Sequence, residues 1–77
     1  MEIPGYPRLS ADPAVCGGKP CIKDTRMRVV DILGALAAGD SADEIVADFP
    51  YVAHEDIKAC LAYGAELSSH PFAIAAE

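Results

Sequence analysis

The chain has 77 residues, a formal net charge of −6 at pH 7 and 52% hydrophobic residues. A chain of this length forms one domain, residues 1–77, and buries only about 60% of the surface that its unfolded form exposes. The acidic balance argues against indiscriminate nucleic-acid binding, which depends on Lys and Arg neutralising phosphates. Asp and Gly interrupt the apolar stretches well before the ~20 residues that a membrane span requires, so we expect no membrane association.

The charge is unevenly distributed along the chain. Residues 1–30 carry five basic and three acidic side chains, a net charge of +2, whereas residues 31–77 carry one basic and nine acidic side chains, a net charge of −8. Such a molecule can dock on phosphate by one face or pair head to tail with a second copy. The alternative is that both regions are simply solvated faces.

The N-terminal section, residues 1–28, predicts turns and short extended pieces. Four of the six prolines lie within it, and proline interrupts helices. Tyr6–Leu9 fits a short strand, and Cys21–Lys23 and Arg26–Arg28 fit two more extended pieces around a tight turn at 24–25. Side chains alternate between the two faces of a strand, so this ribbon has an apolar face and a basic face.

A helical period begins at Val29. Apolar residues follow at spacings that form one stripe of a first helix, and Gly39 is a natural stop for it. The stripe comprises Val29, Ile32, Leu33 and Leu36.

Two further helices are predicted up to about Leu67. Ser41 and Glu44 have the spacing of a capping box that opens a short second helix, which must end before Pro50. The third helix starts near His54 with acids that suit a helix N-terminus. Short connections force these helices to pack, so residues 29–67 predict a mainly α fold: a trihelical, helix-turn-helix-like bundle preceded by a short N-terminal β-ribbon.

The third helix also offers a candidate partner surface. Its core stripe is predicted to comprise Ile57, Cys60, Leu61 and Gly64. On the side away from that stripe, Ala59, Ala62 and Tyr63 form a weakly polar patch suited to helix contacts. The tail, residues 68–77, is apolar after Pro71. Its Phe72 and Ile74 either fold back over the core or bind another chain.

The motifs that suggest chemistry are better explained structurally. Gly17-Gly18-Lys19 lacks the spacing and the following helix of a phosphate loop, so it predicts a turn that leads into a strand. The Cys and His residues lack the close pairs of structural zinc sites. No nucleophile has a base beside it in the sequence pattern. We therefore expect no enzymatic activity, no cofactor and no metal.

Cysteine usage predicts the compartment. The three cysteines, Cys16, Cys21 and Cys60, are an odd number, and the chain does not open with a basic segment followed by an apolar one. These features predict a cytoplasmic protein with free thiols.

The segment Gly18–Arg26, Gly-Lys-Pro-Cys-Ile-Lys-Asp-Thr-Arg, resembles the hallmark of the prokaryotic family called domain of unknown function 433. The similarity covers about residues 8–67. Further matching positions are Asp12-Pro13, Val29–Leu33, Ala38-Gly39, Ile45–Pro50, Glu55–Ile57, Ala59, Leu61 and Tyr63.

Two positions depart from the family pattern. Asp24 stands where the family usually has Gly, which implies a turn residue that tolerates a left-handed conformation. Ala53 stands where Thr or Ser commonly caps the third helix, and the missing cap costs about 1 kcal/mol.

The resemblance implies a homeodomain-like fold related to helix-turn-helix domains. Many members of the family resemble antitoxins that neutralise a PIN-like ribonuclease toxin and repress their own operon as dimers. This chain is therefore expected to be a non-catalytic, homodimeric, antitoxin-like protein that binds a toxin protein through its acidic helices and its tail. The alternatives are a stand-alone DNA-binding regulator and a dimerisation module without a DNA role. The residues expected to be available to DNA are Lys19, Lys23, Arg26 and Arg28.

Overall fold

The computed structural model describes residues 1–69, which form a mainly helical fold with a small antiparallel sheet at the N-terminus. The predicted fold class is confirmed in these terms. In chain order the elements are β1 (Glu2–Ile3), β2 (Tyr6–Ser10), a one-turn 3-10 segment (Cys16–Gly18), β3 (Cys21–Ile22), α1 (Val29–Ala37), α2 (Ala42–Asp48) and α3 (His54–Ser68).

The sheet has the order β1-β2-β3, with both neighbouring pairs antiparallel. Leu9 of β2 pairs with Ile22 of β3, so two buried side chains come together at the centre. The predicted extended piece at 26–28 does not form a strand. Its one β-bridge joins Arg28 to Cys21, because the chain enters α1 at the next residue.

The ends of α1 and α2 follow from local sequence. Gly39 adopts a φ of 110°, and the amide of the next residue, Asp40, donates to the Ala35 carbonyl at 3.0 Å, which completes the helix C-terminal turn that favours glycine. The capping box predicted for α2 is present: the Glu44 amide donates to Ser41 Oγ at 3.1 Å, and the Ser41 amide donates to Glu44 Oε1 at 2.8 Å. These bonds with Ser41 lower the pKa of Glu44.

The core lies where the sheet meets all three helices. The strands β2 and β3 and all three α-helices each contribute at least one buried apolar side chain, and Val52 joins them from the α2–α3 turn. The buried cluster comprises Leu9, Ile22, Val29, Ile32, Ile45, Val52, Ile57 and Cys60.

The predicted core face of α3 is confirmed for Ile57 and Cys60, which are buried, and is wrong for Leu61. Leu61 is 49% exposed, whereas Tyr63 and Ala59 are partly buried against the core. The reason is the sheet, since the ring of Tyr6 on β2 packs edge-on against Tyr63 with centroids 5.4 Å apart. The Tyr6 hydroxyl also donates to Glu66 farther along the helix, which raises the pKa of Tyr6.

Asp56 is the buried charged side chain among residues 1–69, with 7% of its surface exposed. Its Oδ1 accepts from Arg8 Nη1 at 3.0 Å, and its Oδ2 accepts from the Ala53 amide at 2.9 Å. One carboxylate therefore ties β2 to α3 and satisfies a free amide at the start of that helix. This contact supplies half of a capping box in place of the cap that the Ala53 side chain cannot provide.

Removing this carboxylate should destabilise the fold. We expect Asp56→Ala to lower the free energy of unfolding by about 1–2 kcal/mol, because it leaves the Ala53 amide and Arg8 without their acceptor. Arg8→Met should cost about 1 kcal/mol or less, since half of the Arg8 side chain is exposed. Urea unfolding monitored by circular dichroism measures both.

The matched control is Asp48→Ala, an exposed acid at the end of α2, which we expect to stay within about 0.5 kcal/mol of the natural protein. In a double variant, Arg8→Met should cost less in the Asp56→Ala background than alone. Additive effects would contradict the coupling described here.

Candidate functional surfaces

The basic segment 19–28 is a tight hairpin organised by Thr25. Its hydroxyl donates to the Ile22 carbonyl at 2.7 Å and accepts from the Met27 amide at 3.0 Å. The Ile22 amide in turn donates to the Met27 carbonyl at 2.9 Å. Ile22 is buried and Met27 packs against the core, so the predicted apolar face of this segment is confirmed. The opposite, basic side chains are thereby directed away from the core.

Asp24 at the hairpin turn adopts a φ of 64°, in the left-handed region. This observation confirms the conformation expected from the family pattern, in which glycine is usual at this position. Asp is among the few residues other than glycine that occupy this region, although at a cost.

The four predicted DNA-binding residues have different surroundings. Lys23 and Arg26 are exposed and line the same groove, whereas Lys19 lines a second groove. Arg28 is engaged within the fold: its Nε and Nη2 donate to the two carboxylate oxygens of Asp31 at 2.9 and 3.0 Å. This contact with Asp31 raises the pKa of Arg28 and neutralises its charge locally.

The first groove has a volume of 660 Å³ and lies between the N-terminus and the hairpin. Besides Lys23 and Arg26, three acidic side chains line it: Glu2, Asp12 and Asp24. The groove is thus mixed in charge, and the carboxylates weaken its attraction for a polyanion.

The second groove is apolar and has a volume of 320 Å³. It runs between the hairpin, α1 and the end of α3, and Tyr63 of the predicted partner patch lines it. The other lining residues are Lys19, Pro20, Val29, Val30, Leu33 and Leu67. Val30 and Leu67 are not among the predicted site residues. The signal that could have identified them is an apolar residue that lies next to the buried stripe of its helix but outside it.

The predicted patch on α3 is only partly exposed. Ala62 is exposed, but Ala59 and Tyr63 pack partly against the core. The expectation that all three face away from the core is wrong for these two. Phe72 and Ile74, with the rest of the predicted tail contact, lie outside the described residues.

An acidic surface covers α2 and the start of α3. Its carboxylates are exposed, and no Lys or Arg occurs between residues 29 and 57. His54 Nε2 lies 2.7 Å from Asp43 Oδ1, and this contact fixes the start of α3 against α2. The exposed acids are Asp40, Asp43, Asp48 and Glu55, with Glu44 in the capping box.

Two aromatic side chains are exposed within this acidic surface. Phe49 and Tyr51, which flank Pro50 in the α2–α3 turn, are 38% and 57% exposed. Their rings pack edge to face with centroids 6.2 Å apart. Exposed aromatic pairs of this kind are typical anchors of protein interfaces. We refer to Phe49, Tyr51 and the exposed acids as the acidic–aromatic surface.

The Gly17-Gly18 segment is a turn, as predicted. Gly17 and Gly18 adopt φ values of 66° and 84°, and the chain then enters β3 through Lys19 and Pro20. No helix follows the glycines directly, in contrast to a phosphate loop. Within residues 1–69, no helix is long and apolar enough to cross a membrane.

Comparison with known proteins identifies a family. Residues 9–64 match the family described as "Protein of unknown function (DUF433)". A crystal structure of a DUF433 member protein from Anabaena variabilis ATCC 29413 is similar, with a TM-score of 0.76 and 27% sequence identity. The alignment covers 80% of this chain and 61% of that one. No curated protein matches the sequence.

The left-handed turn residue allows a direct test. We expect Asp24→Gly to be more stable than Asp24→Ala by about 1 kcal/mol, because a Cβ is penalised at a φ of 64°. Thermal unfolding of the two variants measures the difference. Equal stability of the two would contradict the left-handed conformation.

Proposed function

The chain belongs to the DUF433 family, whose function is unknown, and from this premise we propose that it is a non-catalytic, antitoxin-like binding protein. Its partner is a PIN-like ribonuclease toxin, which it silences by direct contact. It acts as a cytoplasmic homodimer, and its helix-turn-helix-like helices serve protein contact rather than base reading.

The acidic–aromatic surface carries this proposal. A ribonuclease binds a polyanion, so its RNA site is basic and is complementary to a surface rich in carboxylates. Phe49 and Tyr51 supply the apolar contact area that binding needs, since exposed charges alone contribute little net affinity. Together they fit an inhibitor that occupies the RNA site of its target.

The charge of α3 supports protein contact over base reading. The first turn of α3, where a recognition helix would approach DNA, contains Glu55 and Asp56, and Asp43 is in contact with His54 beside it. Glu55 and Asp43 are exposed and would face phosphates unfavourably, whereas Asp56 is buried.

Truncating the aromatic pair tests the proposal. The tagged chain is co-expressed with the ribonuclease-like protein encoded beside it in the host, and RNA cleavage by that protein is measured with and without the chain. We expect a stoichiometric complex in which cleavage is silenced. The double variant Phe49→Ala and Tyr51→Ala should weaken the complex at least about thirtyfold, the loss expected when an interface anchor is removed.

The matched control is Leu61→Ala, which truncates an exposed apolar residue of α3 outside the acidic–aromatic surface. We expect it to leave the complex unchanged. Circular dichroism confirms that each variant is folded. The proposal would be overturned by a folded aromatic double variant that silences cleavage at the same concentration as the unsubstituted chain.

A second candidate function is operator binding, and the placement of Lys23 and Arg26 favours it. Both are exposed at the end of one rigid hairpin, and neither forms an ion pair with another residue in the range 1–69. Lys19 adds a third exposed charge from the adjacent loop. If each contacts a phosphate, the logarithm of the binding constant should fall with the logarithm of salt concentration with a slope of about −2.7 per chain.

Salt titration with the chain's own promoter DNA measures this slope. We expect Lys23→Ala to reduce its magnitude by about 1 and Arg28→Ala to change it little, because Arg28 is held by Asp31. Equal effects of the two substitutions would show that binding does not use the hairpin as described. The antitoxin proposal does not depend on this result.

A further inference from the structure

Cys16 and Cys21 lie on either side of the Gly-Gly turn and both contact the segment 26–28: Cys16 Sγ lies 3.4 Å from the Arg26 carbonyl, and Cys21 pairs with Arg28. Cys21 begins β3 and is buried, whereas Cys16 is partly exposed, and both are free thiols. Burial, and next the neighbouring Cys16 thiol, raise the pKa of Cys21 to about 11. The two side chains therefore occupy a common site although four residues separate them in sequence.

The backbone between them explains this proximity. Cys16 adopts a φ of 52°, which is uncommon for a residue with a side chain, and Gly17 and Gly18 continue in the left-handed region. The Lys19 amide donates back to the Cys16 carbonyl at 3.2 Å. The chain thus turns back on itself and directs Cys16 toward the hairpin that contains Cys21.

Both thiols donate hydrogen bonds to backbone carbonyls of the basic segment. Cys16 Sγ donates to the Arg26 carbonyl at 3.4 Å, and Cys21 Sγ donates to the Lys19 carbonyl at 3.4 Å. In the reduced protein, the two thiols therefore help to fix the positions of Lys19 and Arg26.

We propose that Cys16 and Cys21 are a redox-active pair that a peroxide oxidises to an intrachain disulfide, releasing the Lys19 and Arg26 carbonyls. The partly exposed Cys16 sulfur attacks one peroxide oxygen, the O–O bond breaks, and a sulfenic acid and one water form. The Cys21 sulfur then attacks the sulfenic sulfur, the S–S bond forms, and the hydroxyl leaves as a second water with the Cys21 proton. Two electrons pass from the two sulfurs to the peroxide.

This reaction changes the basic segment because a disulfide has no S–H donor. Oxidation removes both hydrogen bonds at once, so the backbone of Lys19 and of Arg26 loses a partner in the oxidised form. A thiol reductant reverses the reaction by attack on the disulfide. The redox state of the pair would thereby alter the geometry of two exposed cations, independently of whether they bind DNA or a protein.

Cys60 provides an internal control. It is fully buried in the core between α3 and the sheet, and burial raises its pKa to about 11. Cys21 has a similarly raised pKa but reacts only with the sulfenic acid formed at its partly exposed neighbour Cys16, whereas the neighbouring group that affects Cys60 is Asp56 and not a cysteine. We therefore expect oxidation to consume two of the three thiols of the chain.

Mass spectrometry tests the pair directly. Trypsin cleaves after Arg8 and Lys23 but not between Lys19 and Pro20, so one peptide, residues 9–23, contains both cysteines and a second contains Cys60. After the folded, full-length chain is treated with hydrogen peroxide, we expect peptide 9–23 to lose two hydrogen atoms and to regain them with dithiothreitol.

Single variants define the result. Cys16→Ser and Cys21→Ser should each abolish the loss of two hydrogen atoms, and Cys60→Ser should leave it unchanged. Cys16→Ser changes a partly exposed side chain, so it keeps the test valid if Cys21→Ser fails to fold. Peptide 9–23 gaining only oxygen on Cys16, or chains linked to one another through Cys16, would overturn the proposal.

Discussion

The packing of β2 against α3 is the contact on which the rest of the structure depends. Three residues of this strand hold it to the helix and the core: Tyr6 packs on Tyr63, Arg8 binds Asp56, and Leu9 is fully buried in the core. A core of this size has little apolar area to spare, so a strand that covers one side of a helix contributes a large share of it. The same contact fixes the exposed face of α3 and hence the surface available to partners.

Local signals in the sequence predict much of this fold. Ser41 and Glu44 define the start of α2 because both members of a capping box lie within one helical turn, and Gly39 ends α1 for the same local reason. The core face of α3 could be predicted only in part in this way: Ile57 and Cys60 are buried as expected, but Leu61 is exposed. The partners of α3, Tyr6 and Arg8, are 60 and 48 residues from the groups that they contact, and a pattern of apolar residues cannot reveal which side of a helix a distant strand will cover.

The candidate surfaces could likewise be predicted only in part. Composition predicts the acidic body and the basic hairpin, and both are present as exposed groups. Composition alone groups Arg28 with the unpaired cations. The position of Asp31, three residues later, could have indicated the ion pair that the structure contains. Composition also cannot show that Lys19 and Lys23 line different grooves, because the grooves are formed by residues distant in sequence.

The shortness of the outer strands has a consequence for assembly. β1 and β3 are two residues long, and the outer side of β3 is already bonded to Met27 and Arg28, so the sheet presents few backbone groups for pairing with another chain. Recognition by strand addition needs a longer row of such groups. Association at this sheet, whether with a second copy or with a different molecule, is therefore expected to depend on side chains, and its specificity can change by substitution at the surface without altering the backbone of the fold.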